Sequence, residues 1–294
     1  MLSKIDRVQL AVPDCEAAAK GWIELLDAVP DGEDRIAGLS ARRFRLRIGT
    51  GIVELLEPDG RGAVAEAVAK RGAHLFAAGA SSADLVELAD RLAAKGRTPL
   101  AEGGQLHLSE ADTGITGLRM VLSAAEERER VGLIDYLYEA TVLSADTEGL
   151  TRQLNELMGL DERNYTEITS EVFGYRGTLT LFEDGHLDRL EVITPTIQGT
   201  TMERYFSKFG QSLYMAFAET SDIRVIEERA IATGAGHTVD RPADRPSHLA
   251  ADQLWLHPRA LGGMMLGLSR PTMAWTWSGA PERVEPLENE TAKP

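Results

Sequence analysis

A short apolar strand running into a capped amphipathic helix recurs four times along this chain, opening at IDRVQLAVPD, AHLFAAGASSAD, YEATVLSAD and SLYMAFAETSD. Asp14, Ser82, Asp146 and Ser221 stand where each helix would begin. Their side-chain oxygens can accept from the N–H groups that a first helical turn leaves unpaired. The four positions lie roughly 65 to 75 residues apart. Such a chain is one small unit used four times, and corresponding positions serve as controls for one another.

Each unit reads as strand, helix, then several strands. In the first, Val8, Leu10 and Val12 alternate with polar or small residues, and Ala17, Trp22, Ile23, Leu25 and Leu26 follow at helical spacing. RRFRLRIG and GIVELLEP supply later strands. The second unit repeats the plan with LVELADRLAAKG as helix and LHLS and GLRMVLS as strands around a turn at Asp112 to Gly114. LTRQLNELMGL and IRVIEERAIATGAG are the third and fourth helices. The charged stretch AAEERERVG marks a boundary, giving domains over 1–125 and 132–272 and a tail over 273–294 whose last dozen residues read as disordered. The segment from His237 to Asp252, rich in Pro, Asp and Arg, reads as a loop long enough to cover a pocket.

A formal net charge of −15 repels phosphate backbones and anionic membrane surfaces, so the expected partner is a small molecule, with neither nucleic acid nor membrane. No basic stretch leads into an apolar run at the start and no 18 consecutive residues are apolar, which points to a cytoplasmic protein. The single cysteine, Cys15, leaves no internal disulfide and reads as a bystander thiol beside a helix cap. Nucleotide-binding glycine loops, a GxSxG elbow, a CxxC pair and HExxH are all missing.

Four strand, helix, three-strand units in two pairs resemble the vicinal oxygen chelate superfamily, which includes glyoxalase I, methylmalonyl-CoA epimerase, extradiol dioxygenases and bleomycin-resistance proteins. IDRVQLAVPD resembles the family's opening strand, IVELLEPDG its fourth strand and LWLHPRALGGMMLGLS its closing hairpin. The resemblance implies an α+β fold of four βαβββ units forming two glyoxalase-like domains, each a cupped mixed sheet around a pocket. The cups could pair within the chain or between two copies in a homodimer. In this family the pocket usually holds a divalent metal bound by His, Glu or Gln, His and Glu on four strands. Those positions fall here on Arg7, Glu54, His74 and Val121 in the first half. In the second they fall on Glu139, Glu191, Ser212 and Gly267, or on Tyr136 in place of Glu139 if the strand is aligned differently. Two ligands are too few for a catalytic divalent ion, and Arg7 puts a fixed cation where the ion's charge belongs. No metal and no other cofactor is expected.

The resemblance and the residues together point to Glu139 and Glu191 as a catalytic pair. A carboxylate between Tyr138 and Ala140 in an apolar strand must be paired, solvated or protonated, and two carboxyls in one cup can separate into acid and base. Arg7, Glu54 and His74 are substrate-binding candidates in the first cup, with an Arg–Glu pair filling a redundant pocket as the alternative. Tyr136, Tyr138, Ser212, Tyr214 and His248 are the candidates in the second. Three functions compete. The first is metal-independent proton transfer, as in an isomerase, epimerase or lyase, on a small oxygenated acid, ketone or acyl thioester. The second is non-catalytic binding or sequestration, and the third is a divergent extradiol dioxygenase or glyoxalase.

Overall fold

The computed structural model describes residues 1–246 and 248–287. The first unit is β1 (Leu2–Ala11), α1 (Cys15–Leu26), β2 (Val29–Ile36), β3 (Ala41–Ile48) and β4 (Gly51–Pro58). A connecting helix, α2 (Ala63–Arg71), leads to β5 (His74–Ser82), α3 (Leu85–Ala94), β6 (Leu100–Glu102), β7 (Gln105–Leu108), the short α4 (Glu110–Thr113) and β8 (Met120–Ala124). The second half repeats this order with β9 (Tyr136–Leu143), α5 (Thr147–Met158), β10 (Tyr165–Ser170), β11 (Tyr175–Leu181) and β12 (Arg189–Pro195). After α6 (Thr201–Phe209) come β13 (Ser212–Glu219), α7 (Ile223–Thr233), β14 (His237–Asp240), β15 (Gln253–Leu256) and β16 (Met265–Ser269). Each half is one mixed sheet built within the chain, ordered β2-β3-β4-β1-β5-β8-β7-β6 and β10-β11-β12-β9-β13-β16-β15-β14.

The registers of the two sheets match position by position. Gln9 pairs with Glu54 as Thr141 pairs with Glu191, and Ala11 with His74 as Leu143 with Ser212. Gly79 pairs with Val121 as Phe217 pairs with Gly267. Arg7 therefore corresponds to Glu139, and the alternative alignment on Tyr136 drops out. A shared irregularity explains the odd placement of Glu139. Ile5, Val8 and Leu10 of β1 and Leu137, Ala140 and Val142 of β9 all lie in the main core, so strict alternation breaks once in each strand. The breaks coincide with register shifts against β5 and β13. A β-bulge thus turns two consecutive side chains, Asp6 and Arg7 or Tyr138 and Glu139, away from the core.

That core is continuous across both halves. It takes apolar side chains from one face of each sheet and from α1, α3, α5 and α7, with Trp22, Leu26, Leu55 and Leu154 fully buried. The opposite, concave faces hold separate clusters, and these are the two cups. Ion pairs of the charged connection fasten the halves further, Arg128 to Asp6 and Arg130 to Asp222 and Asp135.

Several sequence expectations need correction. Asp14 and Asp146 cap α1 and α5, but α3 is capped by Asp84, whose N–H bonds to Ser82 Oγ, and α7 follows Asp222 with no side-chain cap. Ser82 is the last residue of β5, two before its cap, and Ser221 lies in the turn after β13, one before Asp222, where its N–H and hydroxyl both donate to Asp135. The turn at Asp112 to Gly114 is the end of α4, closed by a Ser109–Asp112 capping box. The His237–Asp252 loop begins as β14, and its ion pairs run from Arg241 to Glu227 of α7 and from Arg245 to Asp252, so it is tethered to the helix side of the sheet. Within the tail, Trp275 and Ala274 pack on Tyr138 and Leu187, and the Arg283 guanidinium lies 3.6 Å from the Trp275 ring centre, so residues 273–287 are docked. The polar end of the tail, 288–294, lies outside the described residues.

Candidate functional site

In the first cup, Glu54 of β4 is fully buried and surrounded by donors. Gln105 Nε2 (2.5 Å), Gln9 Nε2 (2.7 Å), Arg7 Nη1 (3.3 Å) and Arg43 Nη1 (3.4 Å) all reach its carboxylate. The two arginines have second acidic partners, Asp6 for Arg7 and Asp34 for Arg43, and Arg43 also donates to Gln105 Oε1 across the cup at 2.6 Å. Burial works against the Arg7 charge, but Asp6 and Glu54 outweigh it and hold its pKa above the ordinary value. This is a closed, satisfied network that fills the cup with charge pairs.

The second cup carries a different arrangement at the same register. Glu139 of β9 accepts from Arg189 Nε at 2.7 Å, and Thr141 Oγ lies 3.2 Å from Glu139 and 2.7 Å from Glu191. Here one guanidinium stands beside two carboxyls and bonds only Glu139. Burial, then the charge of Glu139, push the Glu191 pKa well above the usual carboxylate range. Arg189 is wholly buried, donates Nη1 to the Leu187 carbonyl (2.9 Å) and stands 4.8 Å from the Tyr138 ring centre. Its Nη2 is without a hydrogen-bond partner among the described residues.

Aromatic and sulfur-bearing side chains wall this cup. Tyr214 and Met215 are buried against Leu179 and Ile193, while Tyr175, Trp255, Met265 and Phe217 are half-buried around them. The aromatic face of α6 covers one side, with Tyr205 Oη bonded to the Leu213 carbonyl and its ring 5.0 Å from that of Tyr214. The cover is thus α6, where the sequence pointed to the His237–Asp252 loop. Glu191 keeps 5% of its surface exposed against 0% for Glu54.

Neither cup presents the donor set that a family metal requires. In the first, Arg7 is salt-bridged to Glu54, Val121 cannot ligate, and His74 folds back so that Nδ1 meets the Gly72 carbonyl at 2.8 Å. In the second, Arg189 occupies Glu139, Gly267 has no side chain, and a Cβ built on it would overlap the Phe217 ring. Ser212 Oγ donates to the Gly210 carbonyl at 3.0 Å, the counterpart of His74 on Gly72. Three carboxylates outside the cups, Asp14, Glu16 and Glu57, come within reach of one another, but Arg42 pairs with Glu16 and Glu57.

The remaining candidates scatter. Tyr138 is fully buried behind Arg189, with Oη 3.1 Å from Ser269 Oγ, and burial raises its pKa. Tyr136 is half-buried, packs edge-on to Tyr138 and is held protonated by burial and Glu219. His248 is exposed on its loop. Cys15 is buried, its thiol pushed up to about 12 by burial and Glu57. Arg189 and Thr141 were missed from the sequence. The signal for Arg189 was present, since it stands two residues before Glu191 on one strand and so shares its face, where the first half has Ile52.

No protein-family model matches the sequence, and no curated protein matches it. Among solved structures, a variant of 4-hydroxymandelate synthase from Streptomyces coelicolor matches 97% of this chain and 100% of its own at 14% identity and a TM-score of 0.67. A fusion of a xylose isomerase-like TIM barrel with 4-hydroxyphenylpyruvate dioxygenase matches 92% of this chain and 49% of its own at 13% identity and a TM-score of 0.65. Methylmalonyl-CoA epimerase from Mycobacterium tuberculosis matches 48% of this chain and 90% of its own at 18% identity and a TM-score of 0.39. At such identities the shared property is the fold. The chain has the vicinal oxygen chelate fold in its tandem form, two glyoxalase-like domains in one polypeptide.

Proposed function

We propose that the second cup is the functional half and that it moves a proton on a small oxygenated acid, ketone or acyl thioester without a metal, as an isomerase, epimerase or lyase does. The observation behind this reading is the Glu139–Glu191 pair, two buried carboxyls joined through the Thr141 hydroxyl, only one of them paired with a guanidinium, beneath a half-buried aromatic wall. Such a pair separates acid from base at neutral pH. Glu139 takes a proton from the carbon beside a carbonyl, Glu191 gives its proton to the carbonyl oxygen, and the resulting enol is reprotonated by the reverse transfers. The first cup is assigned a structural role, because the four donors that reach Glu54 come from the protein itself and its two arginines are also held by Asp6 and Asp34.

The test is exchange in D2O. The protein is incubated with a panel of small ketones, acids and thioesters, and loss of the carbon-bound proton adjacent to the carbonyl is followed by NMR. Exchange that disappears in Glu191→Gln and Glu139→Gln supports the assignment. Exchange that survives both and is lost in His74→Ala moves the chemistry to the first cup. A second reading, binding without turnover, is favoured by the Phe217 ring standing over Gly267 deep in the cup. Saturable binding that needs Glu191 while no proton exchanges would select it.

A further inference from the structure

We propose that the second cup selects neutral carbonyl compounds with an aromatic or bulky apolar body, and that their carbonyl oxygen accepts a hydrogen bond from Arg189 Nη2. This rests on the second cup being a ligand site and adds what kind of ligand it takes. Two independent features carry it. First, Arg189 is wholly buried and has one nitrogen that no described residue engages, although its other donors reach Glu139 and the Leu187 carbonyl. A buried N–H left unpaired is costly, so a ligand oxygen placed there recovers free energy. By contrast, the arginines of the first cup each meet more than one acidic or amide group.

Second, the charges of the second cup already cancel. With one proton on the carboxyl pair, Glu139 and Arg189 neutralise each other, and the side chains around them, Tyr138, Thr141, Tyr175, Tyr214, Phe217 and Trp255, carry no charge. A ligand carboxylate would place an uncompensated negative charge in this interior or pull Arg189 from Glu139, and either is expensive. A neutral C=O adds no net charge, meets the spare N–H, and leaves its apolar body to the aromatic and methionine wall.

The experiment uses the full chain and two matched pairs of probes, acetophenone with benzoate and cyclohexanone with cyclohexanecarboxylate. Binding is followed through intrinsic tryptophan fluorescence, to which Trp255 and Trp277 in the cup contribute. A carboxylic acid of pKa about 4 must bring its proton to enter a neutral site. At pH 7.5 each carboxylate is expected to bind at least ~100-fold more weakly than its ketone and to gain about tenfold per unit of pH lowered. Isotope-edited infrared spectra should show the carbonyl stretch of bound acetophenone moving to lower frequency. Arg189→Lys, which keeps a charge for Glu139, should lower ketone affinity about tenfold and abolish that movement. If Arg189→Lys fails to fold, the infrared measurement on the unmodified protein decides alone. Carboxylates that bind as tightly as ketones with no dependence on pH overturn the charge argument and leave the second cup standing as a site. Ketones that bind without a change in carbonyl frequency, or equally well in Arg189→Lys, remove Arg189 as the anchor. No binding by any of the four probes would overturn the reading of the cup as a ligand site, and this proposal with it.

Discussion

The same substitution, Glu to Gln, made at two positions that the repeat places in register should move stability in opposite directions. Burial and Glu139 hold the Glu191 pKa well above the ordinary value of about 4.3 at which the unfolded chain ionises it. A carboxyl whose folded pKa is raised contributes its stability below the unfolded pKa and loses it as pH rises. The loss is about 1.4 kcal/mol for each pH unit until the folded pKa is reached. An amide at this position has no proton to lose and can still accept from Thr141 and donate to Glu139. Glu191→Gln should therefore match the parent near pH 4 and become progressively more stable above it. Glu54 is the opposite case. Glu54→Gln would turn an amide N–H toward Arg7 and Arg43, leaving two buried guanidinium groups short of an anion, a change worth about 3–5 kcal/mol of destabilisation. The assay is urea unfolding of both variants and the parent at pH 4.5, 6, 7 and 8, read by circular dichroism and tryptophan fluorescence together. A Glu191→Gln advantage that is absent or flat with pH would refute the proton assignment, and an unharmed Glu54→Gln would refute the account of the first cup.

Other outcomes follow from the same structure. Asp188 is pushed up to about 7 by burial and accepts one bond, from the Ile5 N–H, so stability falls as pH rises from about 4 through 7; Asp188→Asn should be more stable at pH 8 by about 2–4 kcal/mol and equal at pH 4, measured by the same unfolding curves. Trp275→Ala removes the docked ring under Arg283 and should cost about 3–5 kcal/mol, with faster proteolytic loss of the tail as the check. A Cβ at Gly21 would overlap the Ala260 carbonyl oxygen, so Gly21→Ala should force the β15–β16 connection off α1 and lower the melting temperature by several degrees. Elemental analysis of protein purified without chelator should find less than an equivalent of zinc, iron, nickel or manganese; a full equivalent lost in a Glu54→Ala, His74→Ala double variant would contradict the first-cup geometry.

The strand and helix order was legible because it rests on periodicity and caps, which are local. Hidden elements were those whose sequence carries no strong local signal. β2 runs VPDGEDRI with nearly every residue exposed and exists because it pairs with β3, so its cause is tertiary. α2 and α6 were hidden because they connect units and fall outside the repeating pattern. The placement of Glu139 opposite Arg7 could be read by counting back from a cap, but the bulge that makes Tyr138 and Glu139 turn the same way could not, since alternation has no symbol for an inserted residue. Arg189 escaped for a related reason. Attention to ligand positions inherited from a family looks for metal-binding residue types, and the side chain that replaces an ion's charge need not stand where the ion's ligands stood.

That last point separates the halves physically. In the first cup Arg7 of β1 is joined by Arg43, so two guanidinium groups converge on one carboxylate. In the second, Glu139 takes the place of Arg7, and the cation arrives from β12, at the position of Ile52, where it can engage only one of two carboxyls. One arginine to two buried carboxyls disfavours the doubly charged state, which is why the Glu191 pKa is raised. A core built only for stability has no use for that arrangement, since replacing either carboxyl by an amide would relieve it. The cost is borne in the half that also keeps a spare buried N–H and a half-open aromatic wall, and one binding event can use all three.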